Sequence, residues 1–334
     1  MITPTRLSYG VLIATIALAV LLHLGVPLLV LLFSYFALRQ LYFLTKRKWL
    51  ALILFGVVVA GITAAAVYFT RTAILALPDV ADTSIPSASA WAQKRQIELP
   101  FTDFESLRQA VVDTLGQEAQ YLRNVANFAK SAAGAIVFSI LGIVAAGSLF
   151  YKTGLDPYRG THRLKNNLYS ICCDKVSTRF RDFYRSFATV MGAQITISLI
   201  NTALTGIFLV AVRLPHAPLL IAVTFLCGLV PIVGNLASNT VIVFVALTVS
   251  LKLAIVALVF LILIHKLEYL LNSKIIGDRI RNPVWLTLIA LILGERLMGI
   301  PGLILAPVVL NYLRVEMLTV EVPAPSEKME ALNR

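Results

Sequence analysis

The sequence predicts an all-α polytopic membrane protein. It has about eight membrane segments, one or two of them broken or re-entrant helical hairpins, and an amphipathic extracytoplasmic helix. Three observations carry this. Of 334 residues, 58% are hydrophobic and 14% charged, where soluble domains carry about 25% charged residues. Apolar runs near the length of a bilayer crossing recur along the chain. Two of the runs are interrupted near their middle by Pro and Gly.

Residues 1–70 read as three transmembrane helices. The first run, Tyr9 to Leu24, follows Arg6 and is short. A second, Val26 to Phe43, begins almost at once, so the pair reads as a tight hairpin rather than a cleaved leader. A third runs from Trp49 to Thr70. Residues 71–131 form a polar extracytoplasmic segment that Pro78, Pro86 and Pro100 are expected to break. Within it Thr102-Asp103-Phe104-Glu105 has the form of a capping box. Leu107, Val111, Leu115, Leu122, Val125 and Ala129 then recur at helical spacing, as in an amphipathic helix packed on its apolar side. A fourth membrane run covers 132–151, a basic cytoplasmic loop 152–185, a transport core 186–313, and a polar cytoplasmic tail 314–334.

Net charge is +12, and its placement decides its meaning. Lys46-Arg47-Lys48, the eight basic residues of 152–185, and Lys266, Lys274, Arg279 and Arg281 all fall between apolar runs. The 71–130 stretch instead balances six basic against seven acidic residues. The positive-inside rule then puts both termini and the three basic segments in the cytoplasm of a cell with an inner membrane. No nucleic-acid-reading motif accompanies the charge, so nucleic acid is not an expected partner; the lipid bilayer is. Cys172, Cys173 and Cys227 show no metal-ligand spacing and read as reduced thiols. No cofactor is implied.

The interrupted runs are the most informative. In 284–313, Pro283 precedes an apolar arm ending at Gly294. Glu295-Arg296-Leu297-Met298-Gly299-Ile300-Pro301-Gly302 follows, then a second arm to Asn311. Arms of about eleven residues reach roughly 16 Å, half a bilayer core, so a re-entrant hairpin from the cytoplasmic side is expected. In 219–250, Pro231-Ile232-Val233-Gly234-Asn235 breaks the run, leaving a hairpin or two short spans, with its ends outside. Broken elements pointing at the midplane from opposite faces mark a solute site, because exposed amides and carbonyls can bind polar groups there. Pro231, Gly234, Asn235, Gly299 and Gly302 are the expected tip residues.

Gln194, Ser198, Asn201 and Thr205 fall on one helix face, as interhelical hydrogen-bonding groups or one wall of a solute path. Glu295, partnered by Arg296, is the leading coupling carboxylate. His265 and Glu268, three apart, are a second candidate, expected near the cytoplasmic interface. The sequence lacks an HExxH motif, a GxSxG elbow and a P-loop, so neither an enzyme nor ATP-driven transport is expected.

Leu214-Pro215 through Pro231-Ile232-Val233-Gly234 resembles the Pro-x-x-Gly region of the autoinducer-2 exporter family, the PerM-like permeases. Glu268, Asn272, Lys274, Gly277, Pro283, Gly294-Glu295, Gly299-x-x-Gly302 and Ala306-Pro307 follow that family's C-terminal pattern. Ser273 stands where the family usually has Pro, and Asn282 where His often precedes Pro283. The resemblance implies an eight-segment permease, homo-oligomeric with a pentamer as one size, that exports a small solute without a nucleotide-binding domain. Some members are associated with autoinducer-2 and some with sodium/proton antiport, so a proton or sodium ion is the candidate coupling ion. A passive channel and a non-transporting scaffold are the alternatives.

Overall fold

The computed structural model describes residues 4–93, 118–151, 167–231, 233–275 and 283–319. They are helical, and the chain is an all-α polytopic membrane protein. The helices are α1 (Pro4–Leu21), α2 (Gly25–Thr45), α3 (Lys48–Gln93), α4 (Glu118–Tyr151), α5 (Leu168–Ala211), α6 (Ala217–Gly228), α7 (Val233–Val249), α8 (Leu251–Ile275), α9 (Val284–Met298) and α10 (Ile300–Leu318). Among the described residues, five stretches are long and apolar enough to cross a membrane: Gly25–Thr45, Lys48–Thr72, Ala133–Tyr151, Leu168–Ala211 and Ile300–Leu318.

Several boundaries differ from the sequence reading. Helix α3 runs for 46 residues through Pro78 and Pro86. An interior proline removes one hydrogen bond and disfavours a helix locally, yet α3 continues past both. The amphipathic stretch and the fourth membrane run are one helix from Glu118 onward. The capping box at Thr102 and the residues Leu107, Val111 and Leu115 lie outside the described residues, as do 152–166, 276–282 and the tail beyond Thr319. The basic loop ends at Asn167, whose side chain accepts the Ser170 amide hydrogen bond at 2.9 Å and caps α5. Cys172 and Cys173 therefore lie in the first turns of a helix, and all three cysteines are free thiols.

The 44-residue α5 is the ruler against which the rest is placed. Two hairpins pack on it. The first is α6 and α7, of 12 and 17 residues, joined through Leu229, Val230 and Pro231. At about 18 Å, α6 is too short to cross a bilayer core, so 219–250 is a hairpin. The second is α9 and α10, of 15 and 19 residues. Its arms are longer than expected, about 22 and 28 Å: α9 takes in Glu295 to Met298, and α10 continues past the buried Asn311 to Leu318, so Ile300–Leu318 is long enough to cross a membrane where the sequence reading gave it half that depth. Its tip narrows to one residue, Gly299, at φ +64°, a left-handed conformation that glycine adopts without a Cβ penalty.

The bases of the hairpins lie at opposite ends of α5. Leu214 and Leu220 at the base of the first pack in a cluster with Leu209, Ile242, Val245, Ala254 and Ala257. Glu316 at the base of the second pairs with Arg179, thirty residues earlier on α5 than Leu209, or about 45 Å along its axis. Both tips return to the middle of α5. Val230 of one and Met298 of the other pack against a single cluster of Leu29, Leu32, Tyr184, Phe187, Val190, Met191, Ile304, Leu305 and Val308. Lipid tails are as apolar as these side chains, so close packing rather than transfer from water holds them together.

Within the second hairpin, a Cβ on Gly302 would strike the Gly294 carbonyl, and one on Gly294 would strike the Gly302 carbonyl. The two backbones touch there. Gly302→Ala is expected to force the arms apart and destabilise the protein by about 1–3 kcal/mol. Thermal unfolding in detergent measures this; an unchanged melting temperature contradicts the close approach.

Candidate functional site

The polar stripe of α5 faces the tip of the first hairpin. Gln194 Nε2 donates to the Gly228 carbonyl at 2.6 Å, and Ser198 Oγ donates to the Phe225 carbonyl at 2.9 Å. These acceptors belong to the last turn of α6, whose carbonyls have no intrahelical donor. Gly228 permits the contact, since a Cβ there would overlap Ser198 Oγ. At Gly234 a Cβ would overlap the Cys227 carbonyl, so the start of α7 lies flush against the end of α6. The tip amides are used internally: Val230 N–H donates to the Cys227 carbonyl, Val233 N–H to Pro231 and Gly234 N–H to Val230. Pro231 and Gly234 thus shape a closed turn rather than offer open amides.

Farther along the stripe, hydrogen bonding is incomplete. Asn201 and Thr205 are buried, and Asn201 Oδ1 and Thr205 Oγ1 have no partner. Glu268 of α8 comes in beside them. It is 9% exposed, and its Oε1 accepts from Asn235 Nδ2 of α7 at 2.6 Å. Glu268 Oε2 and Asn235 Oδ1 are buried with no hydrogen-bond partner. Ile197, Ile200, Asn201, Leu204, Ile264, Leu267 and Glu268 pack together there with no room for a water molecule between them. His265 Nδ1 stands 3.9 Å from Glu268 Oε2 with its own side chain 63% exposed.

Glu268 is therefore not an ordinary interfacial charge; it lies in the interior where α5, α7 and α8 meet. Glu295 and Arg296 are in a different setting. They sit 3.8 Å apart near the α9 tip with side chains 53% and 83% exposed, on the outer side of the hairpin. Gly299 and Gly302 also lie in the second hairpin, whose tip reaches the middle of α5 from the opposite end. The structure thus brings Asn201, Asn235 and Glu268 together, joins Gln194 and Ser198 to the first tip, and leaves Glu295 and Arg296 apart from both.

Sequence reasoning missed Arg179 and Glu316. Arg179 was one charge among many in a stretch read as loop, and no local pattern links it to a residue more than a hundred positions away.

The fold defines a multi-pass membrane protein organised around two opposed hairpins. A family model described as "AI-2E family transporter" matches residues 9–319, and the chain belongs to that family, a family of transporters rather than enzymes. The protein named "Putative transport protein YdbI" in Bacillus subtilis (strain 168) is 27% identical over 187 residues, covering 55% of this chain and 51% of that protein. The match thus spans about half the length of this curated relative.

The stripe generates a stability test. Gln194→Ala removes the donor to the Gly228 carbonyl, and its expected cost is roughly 0.6–1.7 kcal/mol, the range for membrane interhelical hydrogen bonds. Unfolding in mixed detergent micelles reads it; no loss of stability contradicts the cap.

Proposed function

We propose that this protein is a secondary transporter of the inner membrane that moves a small solute, driven by a proton or sodium gradient. The observations that carry the reading are the meeting of two hairpin tips, entering from opposite ends of α5, and a buried, half-satisfied carboxylate beside Asn201, about 15 Å farther along that helix. Discontinuous helices of this kind place a site at mid-depth with access from either face. An intramembrane ionisable residue marks an ion path.

Glu268 is the coupling group in this account, in place of Glu295. A charge on Glu268 Oε2, buried without a hydrogen-bond donor and with the His265 ring 3.9 Å away, is costly unless a proton or a cation neutralises it. The loaded, neutral site packs shut, while the unloaded site must open to a solvated face. Coupling follows from that difference, since a ligand shifts a conformational equilibrium only by its differential affinity for the two states. Asn235 orients the carboxyl group, and Asn201 and Thr205 offer further oxygens. Pro231, Gly234, Gly299 and Gly302 set the tips between which the solute passes. An antiporter exchanging sodium for protons would use the same carboxylate.

The family name and the printed name of the Bacillus subtilis relative support transport. Export, a homo-oligomer and cytoplasmic termini remain part of the proposal, the last resting on the basic segments. The test is reconstitution in liposomes, recording proton and sodium movement under imposed gradients with a panel of small polar metabolites. Solute-dependent ion flux that is abolished in Glu268→Gln and retained in Glu295→Gln is expected. Unaltered coupling in Glu268→Gln contradicts the assignment.

A further inference from the structure

At the base of the second hairpin, three residues from distant parts of the chain converge. Glu316 of α10 forms an ion pair with Arg179 of α5, and the two side chains are 13% and 15% exposed. Tyr9 of α1 donates its hydroxyl to Glu316 Oε1 at 2.8 Å. The Arg179 guanidinium also lies over the Tyr9 ring, 4.1 Å from its centroid. One carboxylate is thus held by two helices at once, and its cation is stacked on the same tyrosine.

The rest of the hairpin's seat is of another kind. At the tip, Pro301 and Met298 rest against Gly25 at the start of α2, a fit that a Cβ on Gly25 would obstruct. Between tip and base, Ile304, Leu305 and Val308 lie against α5 through apolar contact. Apolar surfaces of this sort slide or part at modest cost inside a bilayer, because lipid replaces what they lose. The part-buried Arg179–Glu316 pair resists parting more strongly, since separating it costs each charge its partner until both reach water. The backbone contact between Gly294 and Gly302 locks α9 to α10, so the arms move together.

We propose that Tyr9, Arg179 and Glu316 form a latch that holds the α9/α10 hairpin against α5, and that the hairpin swings away as one rigid unit when the latch releases. This regulation of access rests on the transport reading above. The state described here is the latched one. Arg179 lies toward the N-terminal, basic end of α5, so release opens the protein from that end.

The experiment uses the full-length protein with Cys172, Cys173 and Cys227 replaced by Ser. Val308→Cys places a thiol in the closed α10/α5 contact, and Ile242→Cys places a control thiol in the separate cluster at the base of the first hairpin. The rate of alkylation by N-ethylmaleimide in liposomes reports opening at each position without any solute or ion gradient. Arg179→Gln or Glu316→Gln should speed alkylation of Val308→Cys by roughly tenfold and leave Ile242→Cys unchanged. Exchanging the charges, Arg179→Glu with Glu316→Arg, should restore slow alkylation. Val308→Cys rates that stay within about twofold of the parent overturn the latch, as does a parallel rise at both positions, which means general loosening. Because the alkylation rate is read without any transport, a failed latch and a failed transport assignment give separate results.

Discussion

A helix that ends inside a membrane leaves its last carbonyls without donors, and lipid supplies none. That constraint organises this protein. The short α6 stops against α5, and Gln194 and Ser198 of α5 reach across to the carbonyls of Gly228 and Phe225. Gly228 has no side chain to hold the helices apart. With α6 terminated there, the chain turns at Pro231 and sends Asn235 back toward α8, where it meets Glu268. The break, its cap and the buried carboxylate are successive consequences of one interrupted helix.

The second hairpin solves the same problem differently. Its arms, α9 and α10, are joined by a single glycine at positive φ and carry no side-chain cap at α10. Gly299 N–H donates to the Glu295 carbonyl, and Leu303 N–H donates to the Gly299 carbonyl. Close backbone contact at Gly294 and Gly302 makes the unit stiff, and a paired charge at Glu316 holds its base. One hairpin is therefore fixed at its tip by hydrogen bonds and the other at its base by an ion pair. This asymmetry suits a pair in which the second element is the one that moves.

The interruptions were legible in the sequence because Pro and Gly within an apolar run have few other readings. The face shared by Gln194, Ser198, Asn201 and Thr205 was legible from helical spacing alone. The burial of Glu268 was not. It follows Lys266 and His265, which resemble an interfacial cluster, and only the fold brings Asn235 over it from 33 positions away. Glu295 drew notice because it lies at a tip, yet which side of a helix faces the protein depends on how the hairpin is seated. The extent of α3 was also hidden, since proline weighs against a helix locally while tertiary surroundings decide whether the helix continues. Arg179 and Glu316 had no signal short of the folded chain.

The claim on which all of this turns is that the hairpins enter from opposite faces of the membrane. Its direct measurement is sided labelling in intact cells with a membrane-impermeant maleimide, on a cysteine-free chain carrying Ser250→Cys at the base of the first hairpin or Leu318→Cys at the base of the second. The account predicts that Ser250→Cys reacts from outside and that Leu318→Cys reacts only after permeabilisation. Labelling of both positions from the same face would contradict it.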